Sequence, residues 1–541
     1  MLHLEQAERD TFLGGLQAGD DLDFRGTVFG SEMLTSLLDS LISPADGATY
    51  LGKVNFEDAY FLEEVDFSNV TFNGEAIFKR AWFDTANFGD SLFRSKASFE
   101  DATFSEYSYF DSAEFEEVVD FVSVKFAQAA SFDNATFSGY PSFLNAKFES
   151  HAFFQNVLFL KGVDFDGARF SAISRLGPIV CVDLLDLSRA TFVSTASIQA
   201  VAARVRCENT HWESTATLRL RRASVDLADA VLTQPLAVTA HPVPFITGTS
   251  LDESGFPWSQ QGVSVESLRG IDCAMLSLSD VDLTSCLFAG AFHLDQLRLE
   301  GRWTFGVPPA ARLASTGPHF RWTQRQVVEE ERQWRALPGR PAMLRAGWGQ
   351  APNRVGAVPG LATITTIYRQ LRKAREDAKD EPGAADFYYG EMEMRRHSHN
   401  WRKAERWLLQ GYWLLSGYGL RASRALGWLS VAMTLTIFLL MGWGLPDESP
   451  RKEIKRESID GKGVTVLDTP DPVLATPLRS RFTGKRFDKG LSVTLNSVVF
   501  RSSGQNLTTA GGYIEMASRF SEPVLLGLGA LAIRGRVKRG S

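Results

Sequence analysis

FEEVVDFVSVKFAQAASFDNATF, residues 115–137, sets Phe at 115, 121, 126, 132 and 137, at gaps of six, five, six and five. Outward from this stretch the beat runs unbroken from Phe56 to Phe170. It comprises 22 Phe in 21 steps, twelve of five residues and nine of six. Two residues before each Phe stands a compact side chain: twelve are Ala, seven Val and two Ser (Ser91 and Ser108), with Pro141 the one departure. Self-similarity of this kind marks a repeat architecture and governs every other reading of the chain.

Neither regular secondary structure accommodates the period. Side chains alternate faces along a strand, so a five-residue step would throw successive Phe to opposite sides. In an α-helix five residues turn through about 500°, leaving neighbours about 140° apart. An eleven-residue repeat in a right-handed supercoil still points its two Phe at different faces. The composition, rich in Asp, Asn, Ser, Thr and Gly, also opposes a helix. What fits is a chain that turns a corner every five or six residues. Each short side sends one large and one small side chain inward, and coils stack at about the 4.8 Å spacing of paired strands.

Residues 54–170, on these Phe and the small residues two before them, resemble the pentapeptide-repeat family. The resemblance implies a right-handed quadrilateral β-helix. The extra residue of the six-residue steps is expected at a corner, leaving the inward column unbroken. Upstream, LDFRGTVF carries Phe24 and Phe29 as an early side of the same coil. Met33, Leu34, Leu37, Leu38, Leu41 and Ile42 then recur at helical spacing. With Ser31 placed to cap it and Pro44 to end it, residues 31–42 are expected to form an amphipathic helix covering the first coil. Downstream, VDLLDLSRATF (182–192), ADAVL (228–232) and LSLSDVDLTSCLF (276–288) keep inward-type residues five apart, most clearly Leu278, Leu283 and Phe288. The β-helix is therefore expected to continue to about residue 304, interrupted by a loop at 239–262.

The net charge is −7, unevenly spread: residues 51–170 hold 20 Asp or Glu against nine Lys or Arg, a balance of −11 that leaves +4 elsewhere. Cys181, Cys207, Cys273 and Cys286 lack C-x-x-C spacing, which argues against a disulfide framework or zinc site and fits a reducing compartment. The polar start MLHLEQAERD is no signal peptide.

Beyond the repeats the character changes. TQRQVVEEERQWRAL (323–337) is expected as a charged helix, and residues 338–360 as a Pro- and Gly-rich linker. Two helices broken at Pro382-Gly383 should follow. The first puts Ile364, Ile367, Tyr368, Leu371 and Ala374 on one face, and the second carries Phe387, Tyr388, Glu391 and Met394. A third, KAERWLLQGYWLL, with Trp407, Leu408, Tyr412 and Leu415, is expected to lie at an interface. Residues 425–445, ALGWLSVAMTLTIFLLMGWGL, hold no charge and have Trp428 and Trp443 near the ends, as a bilayer-crossing helix requires. Arg395, Arg396, Arg402, Lys403, Arg406, Arg421 and Arg424 precede it and mark that side as cytoplasmic. The second apolar run, 523–533, has only eleven residues, and extending it upstream takes in Glu515, Arg519 and Glu522, costly at membrane depth. The segment between the two runs is dense in Lys and Arg, which conflicts with an outside location.

The order of these segments resembles bacterial pentapeptide-repeat membrane proteins whose C-terminal module is similar to two-helix ion channels. In that likeness 425–445 is the outer helix, 491–500 the pore helix and 512–533 the second helix. The run RSSGQNLTTAGG stands where a potassium filter would need T-V-G-Y-G, and the GYG at 417–419 precedes the first span, so a potassium-selective pore is not expected.

The expected fold class is thus mainly β: a right-handed quadrilateral β-helix, or pentapeptide-repeat solenoid, followed by an α-helical, membrane-spanning C-terminal region. Its parts are an N-terminal segment with capping helix (1–50), the regular β-helix (51–175), its degenerate continuation (176–304), a charged helix and linker (305–360), a cytoplasmic helical hairpin with interfacial helix (361–424), and a transmembrane hairpin (425–541). No phosphate-binding loop, nucleophile elbow or metalloprotease helix is present. His397 and His399 lack a carboxylate or Cys set, and Glu116 and Glu117 serve solubility. No catalytic, cofactor-binding or metal-ligating residue is assigned, no cofactor is expected, and the chain is not expected to be an enzyme. The leading expectation is a membrane-anchored interaction scaffold or sensor at the cytoplasmic face of a bacterial plasma membrane, the β-helix in the cytoplasm. The alternatives are a channel-like protein without potassium selectivity and an acidic duplex-mimicking rod acting on a topoisomerase. Expected partners are the lipid bilayer, an unidentified protein on the acidic β-helix, and a second copy through the membrane region. Nucleic acid itself is not an expected partner.

Overall fold

The computed structural model describes residues 6–245, 261–309, 325–337, 358–447, 453–459, 462–468, 476–499 and 506–537, and the single positions Glu253, Phe256, Trp258, Trp348 and Leu474. The chain forms two compact units, Met1–Phe387 and Tyr388–Ser541. Most of the expected 338–360 linker and of the 246–260 part of the expected loop lies outside the described residues.

The first unit is a β-solenoid of about eleven turns. Every second Phe, from Phe61 to Phe170, lies in a short strand that pairs in parallel with the next coil, and the Phe between them stand just after a paired residue. Phe61 faces Phe83, then Phe104, Phe126, Phe148, Phe170, Phe192 and finally Trp212. Between Phe104 and its partner Phe126 the chain passes Phe110, Phe115 and Phe121, so one return has four sides. All 22 repeat Phe are buried, at most 2% exposed. Their rings stack face to face from coil to coil, as at Phe99–Phe121 (4.9 Å, 5°) and Phe121–Phe143 (4.8 Å, 4°). Across the coil they meet edge to face, as at Phe121–Phe132 (5.5 Å, 86°). The edge-to-face pairs satisfy the aromatic quadrupole, and the parallel planes let rings of successive coils pack at the coil spacing.

The corners are of two kinds. Two residues after every second Phe the backbone is left-handed: Asp58, Asn69, Arg80, Asp90, Asp101, Ser112, Ser123, Asn134, Asn145 and Asn156 all have φ between 55° and 63°. Asn and Asp tolerate this region best among residues with a Cβ, which explains their abundance here. The residue before the same Phe locks the turn with its side chain: Asn55, Asp66 and Asn87 accept the N–H of Glu57 (3.0 Å), Ser68 (2.9 Å) and Gly89 (2.9 Å). These corners always close a five-residue step. Every six-residue step falls at one of the other two corners, so the added residue never disturbs the Phe register.

Past Phe170 the stack continues although the beat blurs. Coils shorten to 20 residues (Phe192 to Trp212 to Leu232), and Leu176, Cys181, Leu187, Ile198, Cys207, Leu218 and Leu227 fill the interior. Leu278, Leu283 and Phe288 are buried as expected, and the last strand is Arg298–Glu300. The interruption joins Leu236–Ala240 to Val263–Ser267, and Glu253 within it makes a bidentate, buried pair with Arg221 (2.9 and 3.1 Å).

At the N-terminal end the first coil begins at Leu22–Asp23, so LDFRGTVF is an early side of the solenoid, as expected. Helix α1 (Gln6–Leu13), absent from the sequence reading, brings Phe12 edge-on to Phe24 at 6.4 Å. Helix α2 (Ser31–Ser40) replaces one side of this coil and packs Leu34, Leu37 and Leu38 against the strand Tyr60–Asp66. Gly30, not Ser31, is its cap. The Ser31 hydroxyl instead donates to Glu63 (3.0 Å), and Ile42 is exposed.

The C-terminal end is closed by charge. Along one side of the rod the N–H of Phe24, Phe56, Phe78, Phe99, Phe121, Phe143, Phe165, Leu187, Cys207, Leu227 and Leu268 each donates to a carbonyl of the following coil, at 2.6–3.1 Å. Phe288 is next in this series and has no further coil. Its N–H donates to the Glu330 carboxylate, as does that of Ala289 (2.9 Å). The charged helix is thus shorter than expected, α3 (Glu329–Arg335), and its charges are inside: Glu329, Glu330, Glu331 and Arg335 are at most 2% exposed. Glu331 lies between Arg325 (2.7 Å) and Arg335 (2.6 Å) and accepts the Tyr368 hydroxyl. Tyr368 in turn accepts from Arg325 and the Val328 N–H, both at 3.1 Å. Tyr368 belongs to helix α4 (Leu361–Asp377), whose Ile364, Ile367, Leu371 and Ala374 are buried as expected. The division into two units falls after Phe387, with α4 in the first unit, where its Tyr368 bonds to Glu331. Helix α5 (Glu381–Ser398) follows a break at Ala378–Asp380. Pro382 lies in its first turn, where no amide donor is needed, and is not the break itself.

The second unit holds the rest of α5, then α6 (Ala404–Ser416), α7 (Ala422–Leu439, ending in a π turn Leu440–Gly444), α8 (Gly484–Val499) and α9 (Thr509–Val537). An antiparallel hairpin, Glu453–Ile459 with Lys462–Asp468, was not foreseen.

Two measurements check this packing. Phe121→Ala should cost about 3–5 kcal/mol, the price of an unfilled cavity between stacked rings. Phe153→Ala, whose ring lies off the beat and is only part-buried, should cost no more than about 1 kcal/mol. Urea midpoints followed by circular dichroism would read the difference. Burial raises the Glu330 carboxyl from 4.5 to about 7, against the backbone donors that lower it. An acid raised in the folded state is stabilising while protonated, and that contribution is lost as pH rises from 4.5 through 7. Relative to Glu330→Gln, the native chain should lose on the order of 3 kcal/mol across that window. A constant difference between the two would remove Glu330 as the titrating cap.

Candidate functional site

No group of three or more His, Cys, Asp or Glu among the described residues is placed to hold a metal ion. All four cysteines are buried and free. Cys181, Cys207 and Cys273 occupy positions of the large inward column and Cys286 one of the small column, two before Phe288. Burial pushes the Cys181 and Cys273 thiols up to about 12 and raises Cys207 and Cys286 as well, so none is primed as a nucleophile. His397 stands beside Glu393 (3.4 Å) and His399 beside Glu405 (3.3 Å), so the two rings serve different carboxylates. Glu116 and Glu117 are exposed at a corner.

The acidic rod is not uniform. Lys53–Glu75 (2.8 Å), Lys79–Glu100 (2.7 Å), Arg80–Glu57 (2.9 Å) and Lys125–Glu149 (3.2 Å) link one coil to the next. In register on one outer face, Lys125, Lys147 and Arg169 form a ladder of cations. At the N-terminal end of the same face Tyr60 and Trp82 are paired and exposed; on the next side of the coil Tyr107 and Tyr109 stack at 6.4 Å.

The second unit has an inverted polarity. Helices α7 and α9 supply two spans long and apolar enough to cross a membrane, Ala422–Gly444 and Thr509–Ile533. Leu426, Val431, Leu435 and Phe438 on the first, and Met516, Phe520, Val524 and Leu531 on the second, are exposed, Phe520 by 80%. Several polar residues face inward, while Ser430, Thr434 and Ser521 are exposed and bond to carbonyls of their own helices. Thr436 donates to Glu522 (2.7 Å), which is 0% exposed, Ser497 meets Ser518 (3.0 Å), and Glu515 pairs with Arg519 (2.7 Å). These contacts answer the objection that Glu515, Arg519 and Glu522 forbid a long second helix. Each has a partner within the bundle, and the helix runs 29 residues with Pro523 inside it.

The two long helices touch through glycine. A Cβ on Gly511 would lie 2.4 Å from the Gly444 carbonyl oxygen, so only glycine permits this approach. The carbonyls freed at the end of α7 are taken by side chains. Arg486 donates to Met441 (3.0 Å) and to Leu445, Arg481 to Gly442 (2.7 Å), and Thr508 to Trp443 (2.6 Å). Two cations of the basic intervening segment thus complete a helix C-terminus, where positive charge is favoured.

Ahead of α7, GYG forms the link from α6: Gly417, Tyr418 and Gly419 all have positive φ, and Gly417 N–H returns to the Trp413 carbonyl (2.9 Å). Buried Tyr418 donates to Glu393 (3.2 Å). The basic cluster that the sequence reading takes to mark the cytoplasmic side is partly consumed here. Arg396 pairs with Glu393 (2.7 Å) and lies over Trp413 (4.5 Å), and Arg406 lies over Trp401 (4.5 Å). Arg402 and Lys403 remain exposed beside Trp407 and Leu408, themselves exposed by 60% and 74%.

Residues 56–103 and 110–158 match the family described as Pentapeptide repeats (9 copies). The rod is a pentapeptide-repeat solenoid. No curated protein and no solved structure matches the chain. The inside-out polarity of that unit was hidden from sequence reading because the polar partners are 86 residues apart (Thr436 and Glu522). Small polar residues at three- and four-residue spacing on α9 (Glu515, Ser518, Arg519, Glu522) were the available signal.

The thiols give a direct check of the pentapeptide-repeat interior. The native chain should take up no maleimide, and all four cysteines should label once it is unfolded in urea.

Proposed function

We propose that the chain is a membrane-anchored, non-enzymatic scaffold or sensor: a pentapeptide-repeat solenoid presented at the cytoplasmic face of a bacterial plasma membrane. The observation that carries the anchoring is the inverted polarity of α7–α9, with large apolar side chains outside and Thr436, Ser497, Ser518, Glu515 and Glu522 inside. Water would expel such a surface, whereas a bilayer accepts it and requires the polar groups to find internal partners. The exposed apolar side of α6, Trp407 and Leu408, with Arg402 and Lys403 beside it, has the make-up of a helix lying at the lipid headgroups. For the solenoid, the exposed aromatics Tyr60, Trp82, Tyr107 and Tyr109 and the charged faces suit a protein partner, since aromatic side chains dominate interface energetics.

A channel-like role is the second reading. The order long helix, short helix, long helix over α7, α8 and α9 favours it, with Thr494, Ser497 and Ser518 lining the inside. It would act through oligomers of the second unit, without potassium selectivity. The duplex-mimic reading loses ground to the Lys125–Lys147–Arg169 ladder, which a phosphate-like surface would not carry.

The test uses the buried native thiols as a silent background. A chain carrying Glu116→Cys should remain in the membrane pellet after alkaline carbonate. It should label with a membrane-impermeant maleimide only once spheroplasts are permeabilised. Release into the carbonate supernatant would remove the anchor, and labelling of intact spheroplasts would reverse the orientation. Bilayer recordings of the full chain separate the second reading: a reproducible unitary current would install it in place of the scaffold.

A further inference from the structure

At the centre of the apolar bundle is a carboxylate that the anchoring role does not need. Glu522 and its partner Thr436 both lie near the middle of their spans, Thr509–Ile533 and Ala422–Gly444. Glu522 is fully buried. One carboxyl oxygen accepts the Thr436 hydroxyl at 2.7 Å, and the other has no hydrogen-bond partner among the described residues. The next residue, Pro523, has no amide hydrogen, so the Arg519 carbonyl one turn earlier loses its helical donor. One turn away Ser518 and Ser497 join hydroxyls at 3.0 Å, and Thr494 and Ser497 are likewise buried.

An ionised carboxylate with a single hydroxyl donor, no cation and no water-facing surface is costly in a medium of low polarity. The charged groups on every packed element leave it uncompensated. On α9 itself Arg519 is engaged by Glu515 (2.7 Å). On α7 the charged residue is Arg424, in the first turn, its guanidinium over Trp413 (5.3 Å). On α8 they are Lys485, Arg486, Asp488 and Lys489, all in the first two turns, with Arg486 held by Asp447 (2.8 Å). On α6 they are Glu405, paired with Arg395 (2.6 Å), and Arg406, stacked on Trp401.

We propose that Glu522 is a proton-binding site at mid-membrane depth. It holds one proton when α7 and α9 are closed on each other. The proton comes from water and returns to it. Loss of the proton places a negative charge between the two helices and favours their separation at this level. The inference rests on the membrane reading, and a single preparation distinguishes the two.

The full chain is reconstituted into phosphatidylglycerol–phosphatidylethanolamine vesicles, floated on a gradient, and examined by infrared spectroscopy as pH is raised from 5 to 9. Failure to float would sink the membrane reading before any spectrum is taken. In floated vesicles the native chain should show a carboxylic C=O band at neutral pH that Glu522→Gln lacks. The band should convert to a carboxylate band at higher pH. Thr436→Val, which removes the hydroxyl that stabilises the ionised form, should move that conversion to higher pH. Glu522→Gln also mimics the protonated side chain in shape and charge, so its helix content should equal the native. Identical native and Gln spectra throughout, or a Glu522 carboxylate band already present at pH 5, would overturn the proton site.

Discussion

The solenoid depends on one requirement: every backbone N–H that points along the rod must find a carbonyl in the neighbouring coil. Within the stack this is automatic, since coils of 20–22 residues return each strand to the same register. The aromatic column serves the requirement by holding the coils flat and in step, ring on ring. At the ends it fails, and the ends are where the chain departs most from its repeat. One end is blocked by two helices and Phe12. At the other, where apolar cover alone would leave the Phe288 and Ala289 amides unpaired in the interior, Glu330 stands in for the carbonyls of a coil that is not there. The next residue, Glu331, is compensated by Arg325, Arg335 and Tyr368, whereas Glu330 has only backbone donors and burial raises its carboxyl.

How far the sequence disclosed this follows from the range of each signal. The five- and six-residue Phe steps are local and number 21, so a cornered coil, its inward column and the placement of extra residues at corners were legible from spacing, while the four sides came with the family resemblance. The continuation past Phe170 was legible only in outline, since Leu, Cys, Ile and Trp fill the same column without a uniform residue to announce it. The cap was misread for a physical reason. EEER on a helix ordinarily means a solvated face, and only the unpaired amides of Phe288 and Ala289, some 41 residues away, make burial favourable. The Ser31 cap failed similarly, its hydroxyl being drawn to Glu63, 32 residues on.

The C-terminal unit obeys the opposite solvent logic. Here backbone demands are met within each helix, and the remaining problem is where to hide polar side chains. Thr436, Ser497, Ser518 and Glu522 converge inward, glycines at 444 and 511 allow the long helices to touch, and Arg481 and Arg486 finish the carbonyls that the π turn leaves over. Apolar length was visible in the sequence, but this pairing across distant segments was not.

The alternation of corner types has an evolutionary corollary. A side that ends in a left-handed Asn or Asp admits no length change, whereas its neighbour absorbs one residue, and in one place a longer excursion between Ala240 and Val263, without shifting the inner column. Insertions are thereby channelled onto alternate edges of the square. Whole coils, by contrast, are interchangeable units, so duplication or loss of one would alter the rod in quanta of about 4.8 Å while both seals stay intact. Length and ornament in such a molecule are free to drift independently.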